Sequence, residues 1–387
     1  MKNIKTRITK IIRWMMLKII LPVWYKLCCI CPVNEKSVVF IEVKLPEISD
    51  NFLVLQDRLK DDYQITNYFL RNSFVGKLEY FKRCFQMLKG LARAKYAFVS
   101  EATYVLGTIR LRKGTKLVQT WHACGAFKKF GYSTMDAEFG ATKKEMLRYP
   151  THRNYTLVSV SSPSIVWAYK EAMGIDDDNV VKPLGVSRTD LFFQESYIEK
   201  ARKKLEEKVP ATKGKKCLLY APTFRGNVEN AESPAEIDLS AFRKNFEDEY
   251  ILLLKFHPLA SDSIKIKEED AGFVYDLSKD FSVNELLCTC DICISDYSSL
   301  IFEYAIFKKP IFLFTYDLDA YYNNRGFYYD IKSMLPGSLC MTNEELIAKI
   351  KQIDAYDMDC LEEFREKYMA SCDGKATERI LKYIGIE

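Results

Sequence analysis

Two of the three histidines in this chain directly follow segments with the pattern of buried strands. His122 ends the run Leu-Val-Gln-Thr-Trp-His, and His257 ends Ile-Leu-Leu-Leu-Lys-Phe-His. Histidine is the usual proton carrier near neutral pH, and open α/β sheets bind ligands at the carboxyl ends of their strands. The sequence therefore indicates two candidate catalytic histidines, with an ordinary structural role as the alternative for each. His152 lies in the polar run Pro-Thr-His-Arg-Asn, and we interpret it as solvated.

A second candidate site combines a buried strand with the start of a helix. The apolar strand Ile292–Ser295 ends at Asp296, and Ser298 and Ser299 stand where the next helix should begin. Both serines are favourable N-cap residues. Backbone N–H groups and the helix dipole at such a position favour phosphate, so the pattern predicts an anion site. An ordinary capped helix is the alternative.

Further charged residues follow other predicted strands. Arg225 ends Tyr-Ala-Pro-Thr-Phe-Arg, Lys255 precedes His257 by two residues, and Arg325 follows a predicted strand farther along the chain. A guanidinium or an ammonium at a strand end suits a diphosphate, and surface cations at a sheet edge are the alternative. Glu303 lies about one helical turn beyond the serines, where it can reach a sugar hydroxyl beside the phosphate.

The elements that must position these residues alternate between strands and helices, as in βαβ units with a parallel sheet. A length of 387 residues, 48% of them hydrophobic and 28% charged, suits two globular domains. The predicted strands are 38–42, 63–66, 96–100, 115–120, 155–161, 180–184, 217–220, 250–255, 272–275, 291–295 and 310–314. The predicted helices are 50–61, 77–94, 163–173, 195–208, 283–290, 299–307, 343–353, 359–370 and 375–384.

These elements predict an α/β fold with two Rossmann-like, doubly wound domains that face a cleft. We assign 34–190 to an N-terminal domain and 191–387 to a C-terminal domain. Residues 1–33 hold seven Lys or Arg and no acid, and they predict a basic amphipathic helix. Its apolar run is too interrupted to span a bilayer, so we expect it to lie in an anionic membrane surface. A signal peptide and a soluble surface helix are the alternatives.

Composition gives little support to metal, redox or nucleic-acid functions. The twelve cysteines form no zinc-binding spacing, and we interpret them as reduced thiols that mostly fill the core. The net charge of +5 is mild, and basic residues are not interleaved with aromatic residues outside the N-terminal helix. We expect no metal site and no nucleic-acid partner, although a weakly held Mg²⁺ on a diphosphate stays open.

An ordered set of short motifs resembles the CDP-glycerol glycerophosphotransferase family, the teichoic acid primases and polymerases. The motifs are Thr120-Trp121-His122, Lys128-Lys129-Phe130-Gly131, Tyr220-Ala221-Pro222-Thr223-Phe224-Arg225, Lys255-Phe256-His257-Pro258, Ser295-Asp296-Tyr297-Ser298-Ser299, Phe302-Glu303-Tyr304, Thr315-Tyr316-Asp317 and Arg325-Gly326-Phe327-Tyr328. Each motif is weak alone, and the set covers about 35–384. The resemblance implies a GT-B fold, a peripheral location on the cytoplasmic face of the membrane, and transfer of a polyol phosphate from a CDP donor to a lipid-linked cell-wall or capsular acceptor.

The resemblance also implies roles for individual residues. The histidine after Thr-Trp corresponds to His122, and the histidine before Pro corresponds to His257. The residues that bind donor phosphate correspond to Arg225, Ser298 and Ser299, and the acidic donor ligand corresponds to Glu303.

The chain departs from the family pattern directly after His122. The family often has Trp-His-Gly-Thr-Pro-x-Lys, whereas this chain has Ala123-Cys124-Gly125-Ala126-Phe127 before Lys128 and lacks the Thr-Pro. We expect this loop to meet the acceptor through Gly125, Lys128 and Lys129. The departure therefore leaves the acceptor and the polyol open more than the chemistry.

The predicted reaction is an in-line displacement in which an acceptor hydroxyl attacks the β-phosphorus of CDP-glycerol or CDP-ribitol and CMP leaves. We expect His122 to be the general base and His257, Arg225 and the serines to hold the diphosphate. Asp296 is expected to orient the serine loop. Two alternatives remain open: a GT-B sugar transferase or epimerase that uses a nucleotide sugar, and a catalytically inactive membrane scaffold.

Overall fold

The computed structural model describes residues 2–71, 74–135, 142–225, 234, 236–256 and 266–386, and only the backbone of 2–6 and 322–325. The chain divides into two compact units. The first unit comprises Met1–His122, Phe130–Asp190 and Ser371–Glu387, and the second comprises Ala123–Lys129 and Leu191–Ala370. Each unit holds its own parallel sheet, which confirms the predicted α/β class with two parallel-sheet domains.

The strands are, in chain order, β1 Asn34–Glu42, β2 Gln64–Phe69, β3 Ala94–Val99, β4 Lys116–Gln119, β5 Leu157–Ser159, β6 Val181–Lys182, β7 Lys216–Tyr220, β8 Tyr250–Leu254, β9 Val274–Asp276, β10 Ile292–Ser295, β11 Ile311–Phe314 and β12 Leu339–Cys340. Each strand before β12 corresponds to one predicted strand, with ends that differ by a few residues. The two-residue strand β12 was not predicted, because it is too short to show an alternating pattern.

The α-helices are α1 Lys2–Met15, α2 Leu21–Cys28, α3 Asp50–Leu59, α4 Lys77–Leu91, α5 Tyr104–Thr108, α6 Lys143–Arg148, α7 Val166–Met173, α8 Glu195–Lys208, α9 Leu239–Phe246, α10 Val283–Thr289, α11 Leu300–Ala305, α12 Leu318–Arg325, α13 Ile331–Met334, α14 Asn343–Lys351, α15 Met358–Met369 and α16 Ala376–Tyr383. A π-helical turn, Met16–Ile20, joins α1 to α2. The short helices α5, α6 and α13 were not predicted, nor were α9 and α12.

The sheet of the first unit has the strand order β2-β1-β3-β4-β5-β6, with every pair parallel. Its core contains Val38 and Phe40 of β1, Phe98 of β3 and Phe52 of α3, all fully buried. Strand β2 lies on one side of β1, and β3 lies on the other side. The carboxyl ends of β1 and β3 therefore form the switch point of this sheet. Ligand sites of open α/β sheets lie at such points.

The sheet of the second unit has the order β12-β11-β10-β7-β8-β9, also all parallel. Read from β9 it follows the 3-2-1-4-5-6 order of doubly wound dinucleotide-binding folds. Tyr220 of β7, Leu252 of β8, Ile294 of β10 and Phe312 of β11 contribute to its buried core. The switch point lies between β7 and β10, the strands that precede Arg225 and Asp296.

The C-terminal segment belongs to the first unit, whereas the sequence placed it in the C-terminal domain. Ile380 of α16 is fully buried in the core of the first unit. Asp190 accepts hydrogen bonds from the backbone N–H groups of Ala376 (3.0 Å) and Thr377 (2.7 Å) at the start of α16. The predicted range 191–387 was wrong for this segment, because chain order does not reveal which sheet a terminal amphipathic helix covers.

The N-terminal helices also belong to the first unit instead of forming a separate segment over 1–33. Leu21 and Tyr25 of α2 are buried, and the Trp24 indole donates to the carbonyl of Phe85 at 3.0 Å on α4. Within the described residues, no helix combines the length and hydrophobicity needed to cross a membrane.

Candidate active site

His122 lies just beyond the end of β4 and directly follows a residue with a strained backbone. Trp121 has a left-handed φ of 57°, which is unusual for a bulky residue. The Gln119 side chain accepts the Trp121 N–H at 2.9 Å and so stabilises this turn. The Trp121 ring packs on the rings of His122 (centroids 4.5 Å apart) and Phe130 (5.0 Å). Local strain and aromatic packing therefore fix the position of His122.

A backbone carbonyl sets the protonation of the His122 ring. Nδ1 lies 3.0 Å from the carbonyl oxygen of Ser100, the residue after β3. A carbonyl can only accept, so Nδ1 carries the hydrogen in the neutral ring and Nε2 holds the lone pair. The His122 side chain is exposed, and no other hydrogen bond to its ring is formed by the residues that the structure describes. His122 is therefore in the tautomer that a general base requires.

The surroundings of His122 favour its neutral form, chiefly through desolvation. Displacement of water by the surrounding protein lowers the pKa of His122, and the cations Lys44 and Arg188 act in the same direction. The Ser100 carbonyl and Glu101 oppose this shift. Because the ring is exposed, solvent screening reduces the size of the lowering. The pKa of His122 thus lies below the ordinary value of 6.5, where the ring is ready to accept a proton at neutral pH.

Sequence reasoning missed the residues that support His122. Arg188 donates to the His122 backbone carbonyl at 2.6 Å and to the Asn51 side chain at 3.2 Å. Lys44 and Glu101 form an ion pair of 3.1 Å across the switch point between β1 and β3. For Ser100, the only sequence feature that pointed to the site was its position at the end of a predicted strand. Nothing local in the sequence links Arg188 to His122.

His152 is buried, so its interpretation as a solvated loop residue was wrong. Its side chain is 5% exposed, its Nδ1 lies 3.3 Å from the Tyr155 hydroxyl, and its ring packs 5.7 Å from that of Trp121. Burial lowers the pKa of His152 to about 4, with His122 adding to the shift. The polar sequence around it hid this role, because the contact with Trp121 comes from a residue distant in sequence.

Arg225 uses four of its five N–H donors at the switch point of the second unit. Its Nε and Nη2 donate to the two carboxylate oxygens of Asp317 at 2.7 and 3.0 Å. Its Nη1 donates to Asp296 at 2.8 Å and to the Thr223 carbonyl at 2.6 Å. Burial acts to lower the pKa of Arg225, but the two carboxylates outweigh it and raise the value. One cation thus faces two anions, which leaves this cluster with net negative charge.

Aromatic rings complete the surroundings of the guanidinium. Arg225 lies 5.2, 5.0 and 5.5 Å from the ring centroids of Tyr297, Tyr321 and Tyr316. Tyr297 and Tyr321 stack at 3.9 Å, and the Tyr297 hydroxyl donates to Asp317 at 2.9 Å. Cation–π contacts of this kind stabilise a partly desolvated arginine. The cluster is a structural centre at the place where the sequence predicted a phosphate ligand, and donor binding by Arg225 stays a prediction.

Asp296 fixes the turn that leads into α11. One carboxylate oxygen accepts the backbone N–H groups of Thr223 (2.8 Å) and Tyr297 (2.6 Å), while the other binds Arg225. Asp296 is almost fully buried. These contacts are of the kind that we expected of a residue orienting the serine loop, and they join the ends of β7 and β10.

The two serines do not cap the helix as predicted. Helix α11 begins at Leu300, later than the predicted start, and Ser299 makes no side-chain capping bond. The Ser298 hydroxyl accepts the Leu300 N–H at a long 3.5 Å. Both serines are half-buried, and Glu303 on α11 is buried at 2% exposure. The tight turn held by Asp296 leaves Ser299 with helical dihedrals, so its side chain cannot reach back as a cap.

The other predicted donor residues are placed as follows. The Lys255 ammonium donates to the backbone carbonyls of Ser278 (2.7 Å) and Phe281 (2.6 Å), which ties the end of β8 to the loop after β9. Burial lowers the pKa of Lys255, and Asp276 opposes this. His257 lies outside the described residues, as does the side chain of Arg325, whose backbone ends α12. Donor binding by all three stays a prediction.

The altered loop after His122 packs within the second unit. Gly125 has a left-handed φ of 63°, and a Cβ there would lie 2.5 Å from the Phe302 ring. The backbone of Lys128 pairs with that of Phe327, and the Lys129 N–H donates to the Gly326 carbonyl at 3.1 Å. The Lys128 ammonium donates to the Tyr321 hydroxyl at 3.1 Å. Lys128 therefore contacts a ring that packs on Arg225. An acceptor contact by Gly125, Lys128 or Lys129 stays a prediction.

The thiols and acids give no sign of a metal centre in the described part of the chain. Among those residues, no group of three or more His, Cys, Asp or Glu side chains is placed to hold a metal ion. All twelve cysteines are free thiols, and most are buried. In Cys217, Cys290 and Cys293, burial raises the thiol pKa, so these residues are packing groups and not reactive thiolates.

Comparison with known proteins adds a family to this geometry. Residues 23–385 match the family model described as CDP-glycerol:poly(glycerophosphate) glycerophosphotransferase. The teichoic acid poly(ribitol-phosphate) polymerase of Bacillus spizizenii is 35% identical over 93% of this chain and 58% of its own length. The teichoic acid ribitol-phosphate primase of the same organism is 34% identical over 93% and 94%. The chain therefore spans less than two thirds of that polymerase and nearly all of that primase.

A solved structure supports the fold. A variant of the wall teichoic acid polymerase TagF soaked with CDPG has a TM-score of 0.76 to this chain. The match covers 99% of this chain and 96% of the TagF chain at 21% identity. At that identity the likeness concerns the arrangement of the backbone.

Proposed function

This chain belongs to the CDP-glycerol:poly(glycerophosphate) glycerophosphotransferase family, and from that premise we propose that it transfers a polyol phosphate from a CDP-polyol to a lipid-linked cell-wall or capsular acceptor, releasing CMP. It is an enzyme of this transferase family. The polyol is glycerol or ribitol. Glycerol is named in the family description, and ribitol is named in the two Bacillus spizizenii relatives.

The observation that carries this proposal is the protonation state of His122. Its Nδ1 is occupied by the Ser100 carbonyl at 3.0 Å, which leaves Nε2 as a proton acceptor on an exposed side chain. A general base needs an acceptor nitrogen that a substrate hydroxyl can approach and a pKa near or below the working pH. His122 meets both conditions, which also argues against the alternative of an inactive scaffold.

The proposed step is a single displacement at phosphorus. The acceptor hydroxyl gives its proton to His122 Nε2 while its oxygen forms a bond to the β-phosphorus of the donor. The bond from that phosphorus to the bridging oxygen breaks, and CMP leaves with the electron pair and negative charge. Catalysis of such a transfer depends on positioning and on stabilisation of the charge.

We assign the donor to the carboxyl ends of β7 and β10. This is the switch point of a doubly wound sheet, the usual place for a nucleotide. Arg225 and Asp296 shape this edge, and Ser298, Ser299 and Glu303 follow it. Because Arg225 is already paired with two carboxylates, we propose that it chiefly fixes the pocket. The charge on the donor phosphates is then met by Lys255, His257 and Arg325 or by backbone N–H groups.

Attachment to the cytoplasmic face of a membrane is part of the proposal, since the acceptor is lipid-linked. Several side chains along the N-terminal helices are both apolar and at least 40% exposed. These are Ile8, Ile11, Ile12, Met15, Ile19, Val23 and Leu27. Burial of such a surface in lipid is favourable, and a basic amphipathic helix binds an anionic surface.

A transfer assay tests the proposed function. Purified protein is mixed with CDP-glycerol or CDP-ribitol and a lipid-linked acceptor, CMP is quantified, and the product mass is measured. We expect CMP release that depends on the acceptor and a mass increase of one or more polyol phosphate units with one of the two donors. Release of UDP from a UDP-sugar, with no CMP from either donor, would support the nucleotide-sugar alternative instead.

Point variants test the membrane attachment without removing the buried Leu21 and Tyr25. Ile12→Asp and Ile19→Asp place charge on exposed positions of the apolar face. We expect each variant to bind anionic vesicles at least 10-fold more weakly than the wild type in co-sedimentation. Equal binding by the wild type and both variants would rule out insertion of this face.

A further inference from the structure

A groove of about 690 Å³ lies between helices α1 and α6 of the first unit. Helix α1 contributes Arg7 and Lys10 to its lining, and α6 contributes Lys144 and Arg148. None of these four side chains forms an ion pair with another residue that the structure describes. The groove therefore concentrates positive charge that none of the described residues compensates through an ion pair.

Specific contacts of Arg13 join the two helices that line the groove. Arg13 of α1 forms an ion pair with Glu145 of α6 at 2.8 Å. Its guanidinium also lies 4.7 Å from the Tyr104 ring and 4.8 Å from the Tyr149 ring. Glu145 is the one acid among the described lining residues, and Arg13 neutralises it. The local structure thus fixes the two helices while the other four cations stay available to a ligand.

Several cations lie close to the ring of Tyr149, which lines the groove. Arg148 and Lys18 lie 5.5 and 5.6 Å from the centroid of Tyr149, in addition to Arg13. Burial lowers the pKa of Lys18, and the charges of Arg153 and Arg148 lower it further. Cations brought this close repel each other, so a bound anion would stabilise the arrangement.

Apolar side chains adjoin the cations. Ile11 and Trp14 line the groove together with Tyr149. The exposed apolar side of α1 continues from it through Ile8 and Ile12. A ligand that satisfies all of these groups must carry negative charge at one end and an apolar chain at the other. Clustered Lys and Arg suit phosphate oxygens, and aromatic rings such as Trp suit the boundary between lipid and water.

We propose that this groove is a defined binding site for the phosphate head group of an anionic phospholipid, with the acyl chains along the exposed apolar side of α1. The site goes beyond polyol phosphate transfer and does not depend on it. It also differs from diffuse attraction of a basic helix to a membrane, because it requires Lys144 and Arg148 from another part of the chain and accepts one lipid per protein.

The test uses a short-chain phosphatidylglycerol below its micelle concentration, so that no membrane surface is present. The full-length wild type, Lys144→Ala/Arg148→Ala and the control Arg58→Ala/Lys113→Ala are titrated by calorimetry. Both double variants lose two positive charges at exposed positions of the first unit, but only the first pair lies in the groove. Circular dichroism and thermal unfolding confirm that all three proteins are folded.

We expect the wild type and the control to bind one phosphatidylglycerol per chain with similar affinity, and the groove variant to bind at least 10-fold more weakly. Short-chain phosphatidylcholine and inorganic phosphate should each bind at least 10-fold more weakly to the wild type. Equal loss of affinity in both double variants would overturn the site in favour of diffuse charge. Inorganic phosphate that binds as tightly as the lipid would overturn the assignment to a phospholipid.

Discussion

The ends of β4 and β7 hold the two main candidate groups of this protein in opposite ways. Among the described residues, His122 makes one ring hydrogen bond, to the Ser100 carbonyl, and its side chain stays exposed. Arg225 uses all three of its guanidinium nitrogens on Asp296, Asp317 and the Thr223 carbonyl. Both residues lie at strand ends where ligands are expected. Of the two, His122 is the one that keeps a nitrogen, Nε2, without a hydrogen bond to the described residues.

The difference separates a reacting group from a group that shapes a pocket. A general base must keep a lone pair within reach of substrate, and a single bond at Nδ1 fixes the ring without consuming Nε2. A cation whose charge is already balanced by two carboxylates attracts a phosphate less strongly, so its main effect is on local structure. The two residues should therefore respond differently to substitution.

The largest effect on stability is expected from Arg225→Ala. Removal of the guanidinium leaves the carboxylate of Asp296 buried and unpaired beside that of Asp317, and losing one partner of a buried pair costs about 3–5 kcal/mol. Denaturant unfolding measures the change. Arg365→Ala is the control, because its ion pair with Glu362 is more exposed than that of Arg225 with Asp296 and should contribute less. Equal losses would show that Arg225 is not a structural centre.

The largest effect on turnover is expected from His122→Ala. Loss of the general base should reduce kcat by about 10²-fold or more while the affinity for CDP-glycerol or CDP-ribitol stays near that of the wild type. Stopped assays of CMP release and donor titrations measure the two quantities. His257→Ala is expected to impair donor binding as well as rate. Reduced turnover with unchanged donor affinity in both variants would contradict this division of roles.

The pH dependence of the same reaction sharpens the role of His122. A base acts in its neutral form, so activity should fall as the pH drops through the pKa of His122. Since that pKa lies below 6.5, the midpoint of the decline in kcat/KM should lie below pH 6.5. A midpoint above pH 7 would mean that another group supplies the base.

His152 predicts a smaller effect, on stability at acidic pH. Its folded pKa of about 4 lies below the value of about 6.5 expected when unfolded, so the unfolded chain binds one more proton between these limits. Its contribution is complete above pH 6.5 and is lost toward pH 4, by about 1.4 kcal/mol per pH unit. The difference in unfolding free energy between the wild type and His152→Gln should shrink as the pH falls through this range. A constant difference would show that His152 does not titrate in this way.

The smallest expected effect is that of Gly125→Ala in the loop after His122. A left-handed non-glycine residue costs about 1–3 kcal/mol, and the added Cβ meets the Phe302 ring. Gly114→Ala is the control, because it has a positive φ of 93° but open space around its Cβ. Thermal unfolding should show a greater loss for Gly125→Ala. Equal losses would mean that the contact with Phe302 contributes nothing.

The sequence by itself determined the class of fold and the positions of the candidate residues along the strands. Apolar runs and helical periodicity are local, so β4, β7 and β10 could be placed within a few residues, and the residues that follow them could be assigned to strand ends. The ordered motifs also pointed to the family that the comparison confirms. Terminal and very short elements such as β12 carry too few residues for such a pattern.

Only the tertiary structure decided what those residues do there. The tautomer of His122 depends on a carbonyl 22 residues earlier, and the charge balance of Arg225 depends on Asp317, 92 residues later. Burial of His152, the assignment of α16 to the first unit and the packing of Gly125 on Phe302 likewise arise from contacts distant in sequence. Hydrogen bonding, burial and charge pairing are set by neighbours in space, and those neighbours are specified by the folded chain as a whole.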